Sequence, residues 1–175
     1  MSLEGARTIR TLARLLLVST LLVCCVGCDQ IAKQVVRDQL TLAESHSYLN
    51  DTVRLTYTEN TGAFLGLGDS LPKSARTFFF QGAAGLIVLG LLWAAAFARD
   101  IGRWQIVGLA LLAAGGLGNL IDRVLYDGRV TDFLNLGVGG LRTGIFNIAD
   151  VVQVIAVVLF ACALRGRRQP GCRMK

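Results

Sequence analysis

GGLGNLIDRV (115–124) closes an apolar run, IVGLALLAAGGLG (106–118). The run is long and greasy enough to lie in hydrocarbon. Then Asn119, Asp122 and Arg123 follow at spacings of three and four, which in a helix share one face. An amide, a carboxylate and a guanidinium on one stripe of a lipid-compatible helix need a polar surface to meet. Either the stripe sits at a membrane interface, or it points into a protein interior with further polar groups. Gly115, Gly116 and Gly118 beside it suit close helix packing, a common use of small residues in membranes.

The rest of the chain enlarges that picture. Of its 175 residues 53% are hydrophobic, and the mean hydropathy is +0.54. Soluble domains run nearer about 45–50% apolar. The excess is gathered in four blocks, 12–28, 77–98, 104–121 and 148–164, each near the roughly 20 residues a bilayer requires. These predict an α-helical polytopic membrane protein with four transmembrane helices, residues 1–175 forming a single membrane-embedded domain. The first block, LARLLLVSTLLVCCVGC, also looks like a secretory signal, and CVGC resembles a lipoprotein cleavage box. Such boxes prefer Leu where Cys25 stands, and three further blocks follow, so the segment is read as a retained first span. The competing reading is a processed lipoprotein or noncatalytic assembly factor, cut before Cys28.

The net charge of +6 and pI near 9.4 would suit nucleic acid, but the distribution points elsewhere. With the N-terminus cytoplasmic, the inside segments hold ten Arg and Lys against two acids, and the outside segments eight against ten. That is +8 against −2, as the positive-inside rule prefers, with both termini cytoplasmic and residues 33–75 and 122–147 external. No nucleic-acid partner and no obligate protein partner is expected; membrane lipid is.

Within the first external segment TVRLTYT (52–58) alternates like a half-buried strand. The second, with RVTDFLNLGVGG (129–140), has room for another short strand or two. Counting spans places every unusual polar group in one layer. Asp29 and Lys33 end span one, Asn119, Asp122 and Arg123 end span three, Asn147 and Asp150 begin span four, and Asn60 and Asp132 lie in the loops. Acids near hydrocarbon are expensive and usually mark function or a polar interior.

Each has a plainer reading. Asp122 could pair with Arg123 at the interface. Asn147 and Asp150 resemble a helix capping box. Asp132 could be a solvated loop acid. A small proton- or ion-coupled carrier is a further alternative, although carriers place acids nearer mid-bilayer. For chemistry, no metal-ligand cluster and no cofactor motif is present; His46 is the only histidine and has no evident partner. Five cysteines are an odd number and read as small packing residues. What the chain does offer is paired carboxyls. Two aspartates sharing a site cannot both ionise easily, so one can activate water while the other donates to a carbonyl.

Taken in order, DQIAK (29–33), NTGAFLG (60–66), GGLGNLIDR (115–123), VTDF (130–133) and FNIAD (146–150) resemble the bacterial lipoprotein signal peptidase family, signal peptidase II. The resemblance implies an aspartic endopeptidase of the cell inner membrane, with its site at the outer face. It would remove the signal peptide from diacylglyceryl-modified prolipoproteins by cutting before the lipidated cysteine. It implies Asp132 and Asp150 as the catalytic pair. Asp29, Lys33, Asn60, Gly62, Asn119, Asp122, Arg123 and Asn147 would support the site or bind substrate. It also implies a small external β-cradle and a short amphipathic element beside the four helices.

Overall fold

The computed structural model describes residues 3–61 and 72–167. A long helix α1 (Leu3–Gln39) leads into strands β1 (Ser45–Tyr48) and β2 (Val53–Asn60). A short helix α2 (Lys73–Arg76) and a π-helical segment, Thr77–Ala83, run into α3 (Ala84–Phe97). Then come α4 (Arg103–Leu125), β3 (Val130–Val138), β4 (Leu141–Arg142) and α5 (Ile148–Arg167).

Helix α4 is the centre of the bundle and packs against α1, α3 and α5. Its sequence explains why. Gly108, Ala110, Ala113, Ala114, Gly115 and Gly118 are all buried, so α4 carries small residues on several sides. A methyl at Gly115 would stand 2.5 Å from the Ala149 carbonyl oxygen of α5. One at Gly116 would meet Val88 of α3 at 2.8 Å, and one at Gly118 would meet Asp29 of α1 at 2.7 Å. Three glycines thus admit three different neighbours, as expected where helices associate through close backbone approach.

Polarity is inverted relative to a water-soluble domain. Leu16, Val23, Leu86, Trp93, Val157 and Val158 are exposed, whereas Asp29, Lys33, Asp122 and Asn147 are fully buried. Among the described residues two helical stretches, Arg7–Gln39 and Arg103–Leu125, are long and apolar enough to cross a membrane; Gln81–Phe97 and Ile148–Leu164 are shorter apolar helices. The helices overrun the apolar blocks. Lys33, expected at the outer end of span one, lies inside α1, and Asp122, expected at the outer end of span three, inside α4. The polar continuation stays helical because its side chains meet polar partners inside the bundle.

Cysteine placement differs from expectation. Cys24, Cys28 and Cys162 are free thiols on exposed helix faces and do not pack the core. Cys172 lies outside the described residues. His46 does have a partner, Glu44, at 2.8 Å on the exposed strand β1.

The strands form one antiparallel meander in the order β1-β2-β3-β4. TVRLTYT is indeed strand, and the second segment supplies β3 and β4. An irregularity between Leu55 and Thr58 shifts the register of β2 on β3, so that Asn60 pairs with Val130 and Thr58 with Asp132. At the opposite end of the bundle Arg14 of α1 closes the C-terminus of α3. Its guanidinium donates to the carbonyls of Ala94 (2.9 Å), Ala95 (2.6 Å) and Ala98 (2.8 Å). The Ala94 carbonyl also accepts the Ala98 N–H at 3.1 Å. Carbonyls of a last helical turn are those left short of in-helix donors, and a cation suits the negative end of the helix dipole.

Candidate active site

The site is assembled where α1, α4 and α5 meet the sheet. Alternation along β3 turns Val130 and Asp132 to one face and Thr131 to the other. Asn60, opposite Val130, therefore shares a face with Asp132, and its amide donates to Asp132 Oδ2 at 3.1 Å. A bridge between Leu134 and Phe146 brings the start of α5 against β3. That bridge places Asn147 so that its amide donates to Asp132 Oδ1 at 2.6 Å and to Asn119 Oδ1 at 3.1 Å.

Asn147 and Asp150 do form a capping box. The Asn147 N–H donates to Asp150 Oδ2 and the Asp150 N–H to Asn147 Oδ1, both at 3.1 Å. The cap does not withdraw Asp150 from the site. Its other oxygen accepts from Asn119 Nδ2 at 3.0 Å, and the carboxyl lines a cavity of about 490 Å³. Asn60, Asn119, Arg123, Asp132 and Asp150 share that wall, with apolar surface from Phe146, Val151 and Ile155. Asp132 is 3% exposed, which corrects the reading of it as a solvated loop acid. Burial pushes its carboxyl up to about 6, against the hydrogen bonds from Asn60 and Asn147 that hold it down; the charge of Asp150 adds to the rise.

A second layer lies behind the wall. Lys33 Nζ contacts Asp29 Oδ2 at 2.8 Å, Asn119 Oδ1 at 2.9 Å and Asp122 Oδ2 at 3.1 Å. Asp29 Oδ1 accepts the Ala149 N–H of α5 at 2.9 Å, and Asp122 Oδ2 accepts the Thr131 N–H of β3 at 3.0 Å. One lysine and two aspartates thus tie α1, α4, α5 and the sheet together. Asp122 pairs with Lys33, not with its neighbour Arg123. The stripe of GGLGNLIDRV is therefore divided. Asn119 and Arg123 face the cavity, Asp122 faces α1, and Asn119 joins the layers through its carbonyl oxygen. Gly62 and the remainder of NTGAFLG beyond Thr61 lie outside the described residues.

Three contributors escaped the reading of motifs. Gln30 donates to Gly118 O and Asp122 Oδ1, both at 3.0 Å. Arg37 donates to Thr131 Oγ1 at 2.8 Å and lies over the Tyr126 ring, 4.4 Å from its centroid. Gln81 of the π-helical segment donates to the Arg123 carbonyl at 3.0 Å. A signal existed for Arg37, since Asp29, Lys33 and Arg37 recur every four residues along one helix face.

Solved structures share this fold. One bacterial membrane enzyme superposes with a TM-score of 0.76 at 29% identity, covering 90% of this chain and 93% of that one. A second gives 0.73 at 31%, covering 84% and 91%. Fold and site together define a helical membrane enzyme. In sequence, the signal peptidase II family model matches residues 21–165. The lipoprotein signal peptidase of Desulforapulum autotrophicum is 36% identical over 151 residues, 86% of this chain and 91% of that one. That of Streptococcus pneumoniae is 30% identical over 148 residues, 85% and 92%. The chain belongs to the signal peptidase II family.

Proposed function

We propose that Asp132 and Asp150 are the catalytic pair of an endopeptidase that cuts a prolipoprotein before its diacylglyceryl-modified cysteine. Removal of signal peptides from prolipoproteins is the activity of the family, and this chain is an aspartic endopeptidase of that kind. The observation that carries the residue assignment is the placement of both carboxyls in one cavity wall, joined through Asn147 and Asn119. The ionised aspartate of the pair removes a proton from water, whose oxygen attacks the scissile carbonyl carbon. The protonated aspartate hydrogen-bonds the carbonyl oxygen and transfers its proton there as charge develops. Collapse of the tetrahedral diol then expels the amine, which takes a proton from the pair. Arg123 in the same wall and the amides of Asn60 and Asn147 keep two acids tolerable in a partly apolar cavity.

The proposal extends to placement. The chain is one domain with four membrane spans in the inner membrane, both termini cytoplasmic and the site at the outer face. The charge partition supports this, as does the gathering of the polar network at the end of the bundle away from Arg14. A site there lets acyl chains stay in lipid while the scissile bond reaches water.

The test uses purified protein in detergent and a lipidated prolipoprotein peptide, with cleavage read by gel shift. Asp132→Asn and Asp150→Asn should each lose nearly all turnover while melting as the parent does. A clearly active Asp150→Asn protein would sink the assignment. Chelator should leave the rate unchanged; loss restored by a divalent ion would replace the acid pair with a metallopeptidase mechanism.

A further inference from the structure

Neither the fold nor the proposed hydrolysis uses Gln153, which follows Asp150 by three residues on the same face of α5. It lines the acid cavity and also a second groove of about 540 Å³. The two share Ala84, Gly116, Asp150, Gln153 and Val154, so the groove continues directly from the site. It runs between α3 and α5 over α4, walled by Leu91, Leu112, Val157 and Val158. Among the described residues lining it, Asp150 and Gln153 alone carry polar side chains.

The side chain is admitted by Gly115, where a methyl would stand 2.6 Å from Gln153 Cγ; its Nε2 lies over Gly116, at 3.8 Å from where a methyl would stand. Among the described residues none hydrogen-bonds this amide. The Asp150 oxygens accept from Asn119 and from the Asn147 N–H, not from Gln153. Gln153 is half-buried, and its amide offers donors along an otherwise apolar groove to a ligand that carries the acceptor.

Resting on the substrate class proposed above, we propose that the Gln153 amide donates to an ester carbonyl of the substrate's diacylglyceryl group. One acyl chain then lies along the groove. Gln153 is thereby a specificity-determining residue. The depth fits. Helix α5 starts at the site and runs away from it, so Gln153 lies about 4.5 Å further along the axis than Asp150. Between the scissile carbonyl and the first ester carbonyl stand the cysteine nitrogen, Cα, Cβ and sulfur, two glycerol carbons and the ester oxygen. That flexible span covers the depth, and the branched aliphatic walls beyond it suit an acyl chain.

The experiment compares two peptides with the same chain length, one with a diacyl (ester) and one with a dialkyl (ether) glyceryl cysteine. The parent should prefer the ester in kcat/KM by about three- to tenfold, the range of one neutral hydrogen bond. In Gln153→Met, which keeps side-chain length, the ratio should fall close to one through loss on the ester alone. The ratio is internal to each protein, so partial loss of folded enzyme does not move it. An absent ester preference in the parent, or an undiminished one in Gln153→Met, overturns the assignment. Equal cleavage of the ester peptide and an unlipidated one would instead reject the substrate class beneath it.

Discussion

At the scale of single residues the site is a problem in keeping charge buried. Lys33 is fully buried with Asp29 and Asp122, and removing one member of such a group strands the others. Lys33→Met should therefore destabilise by roughly 3–5 kcal/mol, the cost of breaking a buried ion pair, read as a lower melting temperature in detergent. Asp132 makes a different prediction. Its carboxyl sits at about 6 because burial and the charge of Asp150 raise it while Asn60 and Asn147 pull it down. The proposed reaction needs one proton in the pair, so kcat/KM should fall as pH rises through the loss of that proton. Asn60 donates to the charged form; without it the carboxylate is less stable and the proton is held to higher pH. Asn60→Ala should accordingly move the falling limb of the pH profile upward. The limb belongs to the coupled pair and not to one aspartate. A limb that stays put, or moves to lower pH, would contradict the role of this contact.

At the scale of elements the decisive feature is how near α4 lets its neighbours come. Glycine usually costs stability inside a helix, so replacing it by Ala should help where space allows. Gly27 on α1 has no atom within 4 Å of an added methyl, and Gly27→Ala should be neutral or stabilising. Gly115 is the opposite case, because its added methyl meets the backbone oxygen of Ala149, which no side-chain rotation can clear. Gly115→Ala should cost about 1–3 kcal/mol and lower activity, since it pushes the start of α5, with Asp150, away from Asn119. Comparing the two melting temperatures separates helix propensity from packing. The sheet acts in the same way on the other acid. The register shift in β2 sets Asn60 against Val130, and the Leu134–Phe146 bridge carries Asn147 to Asp132.

For the whole molecule the two ends of the bundle do different work. One end holds Arg14 on the α3 terminus, and the other holds the acids and the sheet. The proposed topology puts the first in the cytoplasm and the second outside. On a cysteine-free background, a cysteine at Ser47 on β1 should react with an impermeant thiol reagent added from outside, and one at Gly102 before α4 should not. The reverse pattern would reject the placement of the site. The exposed apolar belt and buried charges also predict that the protein aggregates when detergent is removed, a behaviour light scattering would follow.

Much of this was legible in the chain because the relevant signals are local. Hydropathy places the helices, since each must cover its own apolar length. The alternation of TVRLTYT marks β2, and the five short motifs mark the family and nearly every residue of the polar network. Tertiary structure alone decided which polar group meets which. The spacing of Asn119, Asp122 and Arg123 puts them on one face but cannot say that Asp122 turns to Lys33 while Arg123 turns to the cavity. That depends on where α1 crosses α4, which Gly118 permits by admitting Asp29. Nor could a capping motif reveal that Asp150 also lines the cavity, because its second oxygen is placed by Asn119, thirty-one residues away in the chain. Asn147 reaches Asp132 only because β3 bridges to Phe146. Propensity and pattern act over a few residues, whereas the partners of buried charge are chosen by which helices come close enough to offer them.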